Sequence, residues 1–318
     1  TPQEPLLCWP INRSWSRSST GYYLRSTCSQ GTHKTFTTLI MKGLFDEVSA
    51  ETSRITTKKY STSFSMAIHT LHPRLRQPIY SIYGYVRLAD EIVDSFHDFN
   101  KHELMQQFRT DTVKALEDKI SLNPILNSFQ KVVREYNIEW GLIDTFLKSM
   151  EMDLEPLDYD QVTYEDYILG SAEVVGLMCL RVFVENDSET FDKLRPSAMH
   201  LGAAFQKVNF LRDIKADYET LGRTYFPQTD LEAFTVIDKQ AIEKDIEEDL
   251  ALALVGIKQL PSTAQSGVHL AYKYYLNLFR KIQSLSPETI RSERVRIPNS
   301  SKFGMMLKHF ITNQINML

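Results

Sequence analysis

An all-α fold is the expectation for this 318-residue chain, and three observations predict it. From Met41 onward the apolar residues recur at helical spacing, and no run alternates as a half-buried strand would. Glycine is scarce, at 12 residues, which disfavours Gly-rich nucleotide loops and turn-dense β architectures. No low-complexity linker and no repeat of about 20–50 residues divides the chain.

The elements follow in order. Residues 1–40 are rich in Ser, Thr, Tyr and Arg, carry Glu4 as their only acid, and show no period. They read as a leader, non-native or disordered; a transit peptide, vector sequence and translated upstream DNA are all compatible with the composition. Residues 41–318 read as one helical domain. Phe45, Val48, Ile55, Lys58 and Lys59 belong to its first helix. Pro73 and Pro78 punctuate the entry to a second, because proline suits helix starts and not interiors. A strongly apolar helix is predicted over 79–97, with others over 102–118, 126–137 and 139–154. Long helices are predicted over 164–185 and 190–219. The charged run Glu243–Asp249 lies in a predicted helix over 238–259 and reads as a solvated face. Helices over 265–284 and 302–316 complete the set.

Composition narrows the function. A net charge of −4 provides no electrostatic footprint for nucleic acid. Cys8, Cys28 and Cys179 do not form a disulfide framework, so a reducing, cytoplasmic setting is expected. No apolar stretch reaches the roughly 18 residues that a spanning helix needs.

Chemistry concentrates on two helices. In the first, measured from Asp90 at about 100° per residue, Tyr83, Arg87 and Asp94 fall within about 60° on one stripe. Two carboxylates one turn apart on an otherwise apolar helix repel each other, and burying them unpaired is costly. A hard divalent cation resolves the conflict, since Mg²⁺ prefers carboxylate oxygens. The alternative is that the pair faces solvent or bonds to Arg87. Glu91, about 100° off the stripe, is expected to be irrelevant. In the second helix, Gln206, Asn209, Asp213 and Asp217 share a stripe, with Gly202 leaving room beside them. Two such helices could hold Mg²⁺ between protein carboxylates and a diphosphate, with Arg87, Arg212 and Arg223 as counter-charges. Asp153 is read as facing either the cavity or the surface.

The first pattern, Tyr83-x-x-x-Arg87-x-x-Asp90-Glu91-x-x-Asp94, resembles the first aspartate-rich motif of the squalene and phytoene synthases. Gln206-x-x-Asn209-x-x-x-Asp213-x-x-x-Asp217, running on into Gly222-Arg223-Thr224-Tyr225-Phe226-Pro227, resembles their second. Ser61-Thr62-Ser63-Phe64-Ser65 is similar to their N-terminal diphosphate-contacting segment. Tyr275 and Arg294 resemble a late tyrosine and the arginine after it. The resemblance covers roughly residues 50–305 and implies a single-domain isoprenoid synthase helical bundle with a central cavity, making 41–318 a catalytic domain. It implies Mg²⁺ or Mn²⁺ on Asp90, Asp94, Asn209, Asp213 and Asp217. It implies substrate contacts from Ser63, Arg87, Gln206, Arg223, Tyr275 and Arg294, with Tyr83 at the reacting centre. The expected reaction is head-to-head condensation of two geranylgeranyl diphosphates to phytoene. Farnesyl diphosphate, giving squalene or dehydrosqualene, is the alternative, and a non-catalytic assembly factor is a remote one. Because such substrates and products are very apolar, peripheral contact with a membrane surface is expected.

Overall fold

The computed structural model describes residues 30–155, 159–221, 225–227 and 234–295, with side chains from residue 42 onward except at 216–221. Twelve α-helices and one π-helical turn make up the regular structure there. They are α1 (Gln30–Tyr60), α2 (Thr62–Thr70), α3 (Pro73–Ser95), α4 (Lys101–Asp118), α5 (Pro124–Glu135) and α6 (Trp140–Met152). After these come α7 (Gln161–Ile168), a π turn (Leu169–Glu173), α8 (Val174–Phe183) and α9 (Ser188–Leu221). The last are α10 (Val236–Ile257), α11 (Ser262–Gln283) and α12 (Pro287–Ser292). The chain divides into two compact units, Thr1–Lys42 and Gly43–Leu318, and the second holds every feature discussed below.

Local chemistry sets the boundaries. Ser61 caps α2 by accepting from the Phe64 amide at 3.2 Å. Asn123 and Pro124 open α5, and Thr235 with Asp238 forms a capping box on α10. The first helix begins at Gln30, ahead of the helical pattern read from Met41. Residues 1–29, which hold most of the leader reading, and the predicted helix over 302–316 lie outside the described residues.

Two expectations need correction. The second helix does not wait for Pro78: it starts at Pro73 and carries Pro78 buried within it. Pro78 forfeits only one amide bond near the helix start, and buried Leu75 and Ile79 on either side hold the turn. The helix predicted over 164–185 is interrupted by the π turn, where the Val174 amide bonds back to the Leu169 carbonyl, five residues away. The turn packs on α6: a Cβ on Gly170 would meet Ser149 Cβ at 2.5 Å and the Thr145 carbonyl at 2.8 Å.

The core is double. One cluster gathers Tyr85, Met105, Phe129, Ile143 and Phe146 from α3 to α6, reaching Met178 on α8. The other gathers Tyr167, Val208, Phe210, Leu250, Leu278 and Ile290 from α7 and α9 to α12. Helix α3 belongs to the first and α9 to the second, so the two aspartate helices stand on opposite walls of the space between the clusters.

Candidate active site

That space is a pair of adjoining cavities. The polar one, of about 500 Å³, is lined by Ser63, Tyr83, Arg87, Asp90 and Asp94 from one side and by Gln206, Asn209, Arg212, Asp213, Tyr275 and Arg294 from the other. The apolar one, of about 300 Å³, is walled mostly by small and aliphatic residues of α2, α3, the π turn, α8, α9, α10 and α11, among them Ala172, Gly176, Ala198 and Gly202. Phe64, Tyr83, Val86, Ser171, Gln206, Asn209 and Tyr275 line both, and so form the neck between them.

The expected residues therefore meet from four separate helices and the segment after α12. Helix α3 supplies Tyr83, Arg87, Asp90 and Asp94; α9 supplies Gln206, Asn209 and Asp213; α2 supplies Ser63; α11 supplies Tyr275. The Asp217 side chain and Arg223 lie outside the described residues. Arg212 also reaches the cavity, although it projects about 100° from Asp213 on the helix.

Each aspartate helix carries its own ion pairs. Arg87 binds both Asp90 and Glu91. Glu91 is thus not irrelevant: it lies one turn after Arg87, within reach of the same guanidinium. Arg87 also sits over the Tyr60 ring, 4.4 Å from its centroid. Across the cavity, Asp213 accepts from Arg212 Nε at 3.0 Å, and Arg294 Nε approaches it at 2.6 Å. Burial first, and the charge of Asp94 second, push the Asp90 carboxyl up to about 7 against the opposing pull of Arg87. Asp153 has a different place from either reading: it is buried, accepts from the Tyr167 hydroxyl at 2.7 Å, and adds to the negative field at Asp90.

The neck is aromatic. Phe205 stacks on Tyr275 with centroids 3.8 Å apart, and Phe64 sits 5.7 Å from Tyr83 and 6.0 Å from Tyr275. The Tyr275 hydroxyl donates to Asn209 Oδ1 at 3.3 Å, and burial pushes its pKa up to about 12. Electron-rich ring faces stabilise a nearby cation and exclude water. Phe64 and Phe205 were not among the expected residues. The available signal was their adjacency, each beside a predicted site residue, Ser63 and Gln206.

A metal-binding chemistry fits these donors. Asp90 and Asp94 present carboxylates from one helix face into one cavity, and Asn209 and Asp213 present oxygens into the same cavity. Among the described residues no three His, Cys, Asp or Glu side chains converge tightly enough to hold a metal alone. Mg²⁺ commonly completes its shell with substrate phosphate and water, so the Asp90 and Asp94 carboxylates on one wall and the Asn209 and Asp213 oxygens on the other suffice in kind. The tip of α2 adds peptide N–H groups: Ser61, Thr62 and Ser63 border the cavity at its N-terminus.

Residues 57–301 match the family model described as squalene/phytoene synthase. The chain is 26% identical over 271 residues to a 15-cis-phytoene synthase from Paracoccus sp., covering 77% of this chain and 86% of that one. It is 29% identical over 195 residues to a 4,4′-diapophytoene synthase from Staphylococcus haemolyticus, covering 59% and 65%. Among solved structures it resembles a dehydrosqualene synthase in complex with ligand, with a TM-score of 0.72 at 20% identity, covering 85% of this chain and 98% of that one. A squalene synthase from Alicyclobacillus acidocaldarius gives a TM-score of 0.64 at 20% identity, covering 75% and 94%.

Proposed function

The chain belongs to the squalene/phytoene synthase family, prenyltransferases that join two prenyl diphosphates head to head, and from that premise we propose that it condenses two geranylgeranyl diphosphates to phytoene, an early step towards carotenoids. The observation that carries the reading is the continuity of a charged cavity with an apolar one through an aromatic neck. A prenyl diphosphate has the same three parts in the same order: an anionic head, a bond that breaks to an allylic cation, and a hydrocarbon tail. The Paracoccus 15-cis-phytoene synthase supports the choice of product within the family.

Asp90, Asp94, Asn209, Asp213 and Asp217 would hold Mg²⁺ or Mn²⁺, which when bound would neutralise the departing diphosphate as a Lewis acid. Arg87, Arg212, Arg223 and Arg294, with Ser63 and Gln206, would share the remaining phosphate charge by charge-assisted hydrogen bonds. The first substrate ionises at the neck, beside Tyr83, releasing its diphosphate; the double bond of the second attacks the allylic cation, and loss of a proton closes the cyclopropane ring. The resulting cyclopropylcarbinyl diphosphate, prephytoene diphosphate, ionises in turn, rearranges and loses a proton. Phe64, Phe205, Tyr83 and Tyr275 keep water from the cations during this sequence.

Product analysis tests the reading. With Mg²⁺ present and NADPH absent, geranylgeranyl diphosphate should yield phytoene, EDTA should stop the reaction, and added Mg²⁺ should restore it. Exclusive use of farnesyl diphosphate would replace phytoene by a C30 product, and strict dependence on NADPH would replace it by a product reduced at its centre; either leaves the family intact. None of the described helices is long and apolar enough to cross a membrane. Very apolar substrates and products favour contact with a membrane surface, and lipid-vesicle flotation of the enzyme would reveal it.

A further inference from the structure

The depth of the apolar cavity can be read along the helices that wall it. On the α8 side, Ser171 of the π turn is the only residue shared with the polar cavity, and Phe183, the last residue of α8, is the furthest lining residue. On α9, which runs the other way, Gln206 is the last shared residue towards the apolar end, and Leu194 is the furthest lining residue. Each pair is twelve residues apart, so each wall spans about 18 Å at a rise of about 1.5 Å per residue.

The two walls are in register. A Cβ on Gly202 would meet the Ala172 carbonyl at 2.7 Å, and one on Gly176 would meet the Ala198 carbonyl at 3.0 Å. Residue 172 is therefore level with 202, and 176 with 198. One turn further, Leu180 comes level with Leu194, both buried and both lining the cavity. Phe183 lies just beyond that level, at the end of its helix, and Leu260, in the turn after α10, lines the same cavity. Between neck and floor, Ala172, Gly176, Ala198 and Gly202 let the π turn and α8 close on α9, and Cys179 and Leu201 stand beside them in the lining.

We propose that Phe183 and Leu260, with Leu194, form a floor that measures the prenyl tail and sets it at four five-carbon units. The proposal rests on the function given above, because it takes the tail to start at the neck. An extended five-carbon unit advances about 5 Å, with four chain bonds of ~1.5 Å each. Three units reach about 15 Å and leave about 3 Å of the bore, roughly half a helical turn, empty, and an unfilled apolar gap forfeits its contacts. Four units reach about 20 Å, which a slightly curved chain fits into about 18 Å. A fifth has no room while Phe183 stands at the floor.

The test is a chain-length ladder on the intact enzyme with Mg²⁺. Farnesyl, geranylgeranyl and geranylfarnesyl S-thiolodiphosphates do not ionise readily, so their dissociation constants report fit apart from turnover. The wild type should bind the C20 analogue most tightly. Phe183→Ala should improve the C25 analogue relative to C20 by tenfold or more, and Leu260→Phe should shift preference towards C15 by tenfold or more, within the range of a pocket that gains or loses several carbons. Phe183→Leu serves the same purpose should the alanine variant fail to fold. Ratios unchanged across the three lengths in folded variants would overturn the floor. Shifted ratios in an enzyme that makes no phytoene would uphold the floor and reject the product. Failure of every analogue to bind the wild type would reject both.

Discussion

Asp90 stands at the point where the electrostatics of the site are least balanced. Its carboxyl lines the cavity in partly desolvated surroundings, Asp94 lies one turn away, and Arg87 divides its charge between Asp90 and Glu91. On the opposite wall two guanidinium groups close on Asp213. An incoming anion with its metal would let these arginines turn from carboxylate to phosphate without leaving any buried charge unmatched. Replacing Asp90 by Asn removes a desolvated charge and leaves Arg87 its Glu91 partner. The variant should keep its helical circular dichroism and melting temperature, while turnover at fixed Mg²⁺ falls by about 100-fold or more, as expected for a group acting on leaving-group charge. Wild-type rates in this variant would remove α3 from the chemistry.

The π turn decides how one wall of both cavities is built. Its extra residue per turn rotates Ser171 and Ala172 relative to α8, and its closest contact is glycine against Ser149 and Thr145 of α6. A methyl group at residue 170 has no space to occupy. Gly170→Ala should lower stability by about 1–3 kcal/mol, the range for overpacking a filled interior. Urea unfolding measured beside the wild type would show it as a lower midpoint at constant slope. An unchanged midpoint would mean that α6 and the turn can part at little cost, and that the wall is less rigid than its packing implies.

At the scale of the molecule, the cavity exists because the chain builds two apolar clusters and brings one aspartate helix from each to the space between them. Everything that lines the site belongs to the unit Gly43–Leu318. A chain starting at Gly43 should therefore fold and turn over substrate at close to the full-length rate. A melting temperature lower by several degrees, or a large loss of rate, would show that residues before Gly43 contribute to the unit.

The all-α class, the two aspartate stripes and the order of the site motifs are legible in the residue pattern alone. These are local properties: helical period and the about 100° advance per residue place Asp90 with Asp94 and Asn209 with Asp213 whatever the rest of the chain does. Tertiary structure alone decided which side chains meet. Arg294 reaches Asp213 from 81 residues further along the chain. Arg212 enters the cavity from the wrong side of its helix because its long side chain folds back on its neighbour. Pro78 stays helical because the core grips the residues around it. The π turn, the aromatic neck and the depth of the apolar bore depend on how closely α8 and α9 approach. That spacing comes from glycine and alanine contacts between distant segments, which no local period encodes.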